Sequence, residues 1–117
     1  MKKVKIISLL ISIFLYSCTS KKEITIKIRN STKKITKTIF PDDNVGYTTK
    51  YIQVRGYSND SIYIKFDENG IPFYLQKKID TTISGDYYGE GEVKFIFDAY
   101  KSKNNDLTIN FGILGSK

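Results

Sequence analysis

From residue 24 to the end, apolar side chains recur at every second position and nowhere at helical spacing. Ile24, Ile26 and Ile28 alternate with Thr25, Lys27 and Arg29, and Ile35 and Ile39 continue the pattern around Lys37. Ile52 and Val54 alternate with Tyr51, Gln53 and Arg55, and Ile62, Ile64 and Phe66 with Tyr63 and Lys65. Ile71, Phe73, Leu75, Ile79 and Ile83 all fall on odd positions, with Lys77 as the violation. Val93, Phe95, Phe97 and Ala99 form one further run, and Leu107, Ile109, Phe111 and Ile113 another. A period of two puts one face of a strand toward a core and the other toward water. No window of helix length carries apolar residues three and four apart.

Turn-forming residues separate the runs: Arg29-Asn30-Ser31, Pro41-Asp42-Asp43-Asn44, Ser58-Asn59-Asp60, Asp67-Glu68-Asn69-Gly70, Gly85-Asp86, Gly89-Glu90-Gly91 and Lys103-Asn104-Asn105-Asp106. About seven strands in this length predict an all-β fold, an antiparallel β-sandwich with a small β-barrel as the alternative. An immunoglobulin-like order is the first expectation for the sandwich. That likeness is architectural only, because the chain has no Trp and no pair of Cys. Residues 71–83 read as one bent strand or two, broken at Lys77 and Lys78.

The first 22 residues follow another rule. Lys2, Lys3 and Lys5 precede an eleven-residue apolar run, Ile6 to Tyr16, interrupted only by Ser8 and Ser12. Such a run is about half of the roughly 20 residues that span a bilayer. A basic start followed by a short apolar stretch is the pattern of an export signal. The expected signal is residues 1–17, and it ends Leu15-Tyr16-Ser17 before Cys18, the single Cys of 117 residues. This stretch resembles the lipobox of bacterial lipoproteins: an aliphatic residue, a tolerant position, a small residue, then Cys. The bland alternatives are a plain secretory signal with an incidental Cys and a short membrane anchor.

The resemblance covers residues 1–18 and implies a diacylglyceryl thioether on Cys18. Each buried methylene of such a lipid contributes about 0.8 kcal/mol of membrane affinity. Thr19 after the Cys implies the outer membrane. Surface lipoproteins of the Bacteroidetes type carry an acidic cluster there. Here Lys21 and Lys22 precede Glu23, which implies the periplasmic face, with the cell surface as the alternative. The organisation expected is thus signal 1–17, lipidated Cys18 with a tether to residue 22, and one β domain at 23–117.

Loss of the signal removes three lysines and lowers the formal charge from +7 to +4. The remainder is uneven. Residues 21–37 hold Lys21, Lys22, Lys27, Arg29, Lys33, Lys34 and Lys37 against Glu23 alone. A basic stretch next to an anchor suits anionic headgroups, each charge adding about 1 kcal/mol; the plainer alternative is a solvated strand face. Nucleic acid is not an expected partner of an exported chain.

The residue inventory narrows the chemistry. With no His, Ser-His-Asp and Cys-His catalysis and histidine zinc sites are excluded. With Cys18 lipidated, no thiol remains. Asp86, Glu90 and Glu92 are the carboxylates weighed for glycoside hydrolysis. Asp42-Asp43-Asn44 and Asp67-Glu68-Asn69 are weighed for calcium, but Asx-rich turns form without metal. No cofactor, metal or catalytic activity is expected. Tyr51, Tyr57, Tyr63 and Tyr74 fall on the polar phase of their strands. With Arg55 they are the candidate binding face, since Tyr and Arg dominate binding hot spots. Ordinary cross-strand Tyr pairing is the alternative. The expected work is binding another envelope or exported protein, as an accessory subunit or an immunity-type protein. Recognition of a glycan or peptidoglycan is the second possibility. A Cys18→Ala variant is expected to stay unprocessed or to leave the membrane fraction. Full processing and membrane retention of that variant contradict the lipobox.

Overall fold

The computed structural model describes residues 20–88 and 91–116. The expected signal, Cys18 and Glu90 lie outside the described residues. All regular structure among those described is antiparallel strand: β1 (Ser20–Arg29), β2 (Lys34–Ile39), β3 (Gly46–Phe66), β4 (Phe73–Asp86), β5 (Val93–Asp98) and β6 (Asn105–Ser116). β1 begins at Ser20, so Ser20, Lys21 and Lys22 are strand rather than tether.

Six strands form where seven were expected, because the two runs either side of Ser58-Asn59-Asp60 are one strand. β3 is 21 residues long and crosses both halves of the molecule. Its first part pairs with β6 from Gly46 to Ser58, and its last part pairs with β5 from Tyr63 to Phe66. β4 accompanies it along nearly its whole length. The register slips between Ser58↔Lys77 and Ile62↔Leu75, so Asn59, Asp60 and Ser61 face Gln76 alone. Extra residues on one strand bend it and let it pass from one layer to another. Opposite, Lys77 takes a φ of 64° and its Nζ donates to the Asn59 carbonyl at 2.9 Å. The Lys77 break in the alternation is therefore the other side of this bulge, within a single bent strand.

The bend folds the sheet into a half-barrel of two layers. One layer is β1–β6–β3–β4, and the other is β2–β5–β3–β4 using the far ends of β3 and β4. The two ends of β3 come back together at the open mouth, where Lys50 Nζ sits 4.8 Å from the Phe66 ring centre. The apolar phases predicted from the alternation meet inside, except at Ile71 and Phe73, which are exposed. Ile52, Val54, Ile109, Phe111 and Ile113 of the first layer oppose Ile62, Ile64, Phe95 and Phe97 of the second, all fully buried. Phe66, Phe95 and Phe111 cross the interior with ring centres 5.8 and 5.3 Å apart. Each such side chain contributes about 1.5–3 kcal/mol on burial.

Polar residues close the bent end. Ser58 and Asn105 are buried, as is Ser102. Ser58 Oγ bonds the Asp60 carbonyl and Ser102 Oγ, each at 2.6 Å. Asn105 Nδ2 donates to the Ser31 carbonyl and to Ser102 Oγ, and its Oδ1 accepts from the Ser31 amide. Asn59 Oδ1 accepts from the Lys103 and Asn104 amides. The bulge is thus tied to the β1–β2 and β5–β6 connections. Among the described residues no buried side-chain N or O lacks a partner. Gly56 serves the same approach of strands: its φ is 135°, and a Cβ there would lie 2.0 Å from the Asp106 carbonyl oxygen. Asn105→Ala removes three hydrogen bonds and strands Ser31. It is expected to cost about 3 kcal/mol in urea unfolding; a loss under about 1 kcal/mol would mean the network does not hold the bend.

Candidate binding face

The outer phase of β3 carries the residues singled out in the sequence, but the register sorts them into different roles. Tyr51 lies in a row with Gly112 of β6 and Glu23 of β1. Its ring covers Gly112 and its hydroxyl donates to the Glu23 carboxylate. A Cβ on residue 112 would fall 2.3 Å from the Tyr51 oxygen, so only glycine leaves room. Tyr51 is consequently 9% exposed, on the outer face but covered. Burial, then Glu23, push its phenol well above the ordinary range. The next row is also internally satisfied: Thr25 Oγ1 donates to Asn110 Oδ1 at 2.8 Å, and Asn110 Nδ2 to Gln53 Oε1 at 3.1 Å.

Arg55 stands exposed with Nε 3.6 Å from Asp80 Oδ1, an open pair of the kind that contributes little. Tyr57 follows, half exposed, in a row with Arg29, Asp106 and Lys78 beside the bend. Beyond the bulge, Tyr63 and Tyr74 are direct cross-strand partners. Tyr100, on the turn after β5, completes a trio. The ring centres are 5.8 Å apart for Tyr63–Tyr74 and Tyr63–Tyr100, and 5.6 Å for Tyr74–Tyr100. Edge-on packing of this kind holds each ring for about 0.5–1.5 kcal/mol beyond burial. Tyr74 and Tyr100 remain 56% and 52% exposed. Lys101 lies 5.4 Å from the Tyr100 ring centre and Lys65 5.8 Å from that of Tyr63. Tyr63 donates to Asp98 at 2.8 Å, which with its burial pushes its phenol up to about 12.

Basic residues divide along the same axis. Lys21 pairs with Glu23 at 3.4 Å, Lys22 with Asp42 at 2.8 Å and Lys34 with Glu68 at 3.2 Å. Lys22 also donates to the Phe40 carbonyl, closing β1 against the end of β2. Lys27, Arg29 and Lys33 lie toward the bent end, where β3 to β6 bring Lys77, Lys78, Lys101 and Lys103. None of these seven is in an ion pair among the described residues. The bent end is therefore basic and aromatic at once. Tyr100, Lys101 and Lys103 were missed in the sequence because they lie on a turn, outside any alternation.

Two shallow clefts flank this arrangement. One, of about 360 Å³, crosses the outer face of the first layer beside Tyr51, with Lys21, Glu23, Thr49, Gln53 and Thr82 on its walls. The other, of about 450 Å³, opens at the mouth between Lys50, Phe66, Ile71 and Phe73. Asp86 and Glu92 are exposed at that mouth rather than enclosed by either cleft. Asp42 of the first Asx-rich turn is engaged by Lys22 and Tyr47, and Asp67 of the second by Lys50 at 3.9 Å. Among the described residues no three carboxylate, His or Cys side chains gather as a metal site requires.

No family model and no curated protein matches this chain. Solved structures do. Dimeric latent PorU from Porphyromonas gingivalis is similar over 85% of this chain, with a TM-score of 0.51 and 8% identity. The chain spans 13% of the length of that protein. The Yersinia pseudotuberculosis-derived mitogen is similar over 80% of this chain and 84% of its own, with a TM-score of 0.50 and 8% identity. At this identity the likeness is one of fold alone.

The Tyr63–Asp98 bond gives a signature in alkali. The folded state keeps this phenol protonated above its unfolded value of 10.0. The stability it adds is whole below that pH and is lost as pH rises toward about 12. Phenolate absorbance is expected to show Asp98→Asn moving one late-titrating tyrosine to lower pH. An unchanged titration curve would mean that the bond does not set the value.

Proposed function

We propose that this chain is a lipid-anchored, non-enzymatic envelope domain that binds another envelope or exported protein through its bent end. The lipobox-like residues up to Cys18 support the anchor, at the outer membrane and on its periplasmic face. The observation that carries the binding role is the coincidence of exposed rings and an excess of cations outside any close ion pair at one end. Tyr57, Tyr74 and Tyr100 sit there with Lys77, Lys78, Lys101 and Lys103. Edge-packed tyrosines present rigid, half-apolar area at low entropic cost, and the cations select an acidic partner surface. An accessory subunit or an immunity-type protein fits this chemistry equally.

A second function, recognition of a glycan or peptidoglycan, is favoured by the cleft beside Tyr51, with its hydroxyl, amide and charged walls. The two separate by experiment. The lipidated protein is cross-linked in its native envelope and recovered. Replacing Tyr74 and Tyr100 together by Ser is expected to weaken capture of one stoichiometric protein about 30-fold or more, the loss that about 2 kcal/mol implies. Loss of the ring packing, about 0.5–1.5 kcal/mol for each pair, should lower the thermal midpoint while leaving the variant folded at the capture temperature, and added salt should weaken capture. Retention of the partner by that double variant contradicts the proposal. Sedimentation with purified peptidoglycan, lost in Gln53→Ala, would favour the second function.

A further inference from the structure

The exposed apolar side chains separate by type along the molecule. Among the described residues, Tyr57, Tyr74 and Tyr100 are the large exposed ones near the bend. Of the large exposed side chains without a hydroxyl among the described residues, Phe40, Ile71 and Leu114 lie toward the opposite, open end with Tyr88 beside them, while Phe73, next to Tyr74 in the chain, reaches the mouth cleft from between the two ends. Phe40 follows the last residue of β2, and its carbonyl is held by Lys22 at the start of β1. Ile71 and Phe73 line the mouth cleft with Lys50 and Gly85. Leu114 pairs in register with Lys21, and Tyr88 follows Tyr87, whose amide donates to Thr48 near the start of β3. Ile71 and Tyr88 are 79% and 83% exposed, and grouped at one opening with Phe40 and Leu114 they are the kind of apolar cluster that marks an interaction site.

This end is also where the chain enters the domain. β1 starts at Ser20, so Cys18 is two residues away and within about 7 Å. We infer that the mouth docks on the bilayer itself. Phe40, Ile71 and Leu114 enter the acyl boundary, Tyr88 lies at headgroup depth, and the bent end points away from the membrane. This rests on the proposed lipid anchor at Cys18. Apolar side chains inserting beside a lipid and an aromatic ring at the interface are how a domain lies on a membrane without spanning it.

The charges favour insertion over headgroup attraction. Lys21, Lys22 and Lys50 at the mouth are paired with Glu23, Asp42 and Asp67, and Asp43 and Asp86 lie beside them. Ser20 and Arg29 are the two ends of the ten-residue β1, about 30 Å apart at strand rise. Screening at physiological salt acts within about 8 Å. Lys27, Arg29 and Lys33 are thus too far from a bilayer under the mouth to be held by it. Docking is therefore indifferent to anionic lipid and to salt.

The test uses the full lipidated protein in phosphatidylcholine vesicles. The chain has no Trp, so Ile71→Trp and Tyr100→Trp each give a single indole reporter at an exposed position. A mass spectrum of each preparation reports the lipid on Cys18. With the lipid present, Ile71→Trp fluorescence is expected to shift to the blue and to be quenched by acyl-brominated phosphatidylcholine. Tyr100→Trp should do neither, and anionic lipid or salt should change nothing. Equal exposure of both reporters overturns the docking while leaving the anchor intact. A blue shift without brominated-lipid quenching would mean that a second copy covers the mouth, and also overturns it. Absence of the lipid mass overturns the anchor, and the docking with it.

Discussion

The bend in the β3–β4 pair is the constraint on which the rest of the molecule depends. Two long strands cannot form a two-layer sandwich unless they turn a corner together. Here three residues of β3 pass over one of β4, and Lys77 adopts the left-handed conformation to let them. The corner is paid for by buried polar groups. Ser58, Ser102 and Asn105 satisfy one another and the backbone around them. Without that network, the bulge would leave buried carbonyls and amides unpartnered, at a cost of about 1–3 kcal/mol for each group.

Two unlike ends follow from the corner. The bent end is closed by buried polar groups, and its apolar side chains, Ile62, Ile79 and Leu107, are all buried beneath them. What it presents is tyrosine, lysine and arginine on strand phases that face water. The open end is where the interior meets solvent, and Lys50, Lys22 and Tyr87 only partly cover it. Phe40, Ile71 and Phe73 sit around that opening because the inner layers end there. The proposed anchor and the proposed partner face thus fall at opposite ends of one short molecule. A domain standing on its lipid would present the tyrosine trio to whatever lies beyond the membrane surface.

Much of this was legible as alternation. The odd or even phase of the runs named most of the core, and Lys77 marked the place where a strand breaks step; Ile71 and Phe73 kept the apolar phase but are exposed, and Ile96 on the opposite phase is buried. Ser58-Asn59-Asp60 misled, because a polar Asx-rich stretch looks the same in a turn as in a bulge. Only pairing with Gln76 and the bonds of Asn59 distinguish the two. Tyr51 was placed on the right face and given the wrong exposure. Its burial depends on Gly112, which is 61 residues away along the chain and next to it only in register. Distance along the basic stretch is likewise set by the strand. Residues near Cys18 in sequence are carried about 30 Å away by a straight strand. Tyr100 and the lysines around it carried no signal at all, since a turn residue has no phase to read.

Photo-cross-linking in the intact envelope tests the two-ended arrangement most directly. A benzophenone-bearing residue replaces Ile71 in one preparation of the lipidated protein and Tyr100 in another. The account predicts lipid adducts from position 71 and a discrete protein adduct from position 100. Protein adducts from position 71, or lipid adducts from position 100, would contradict it.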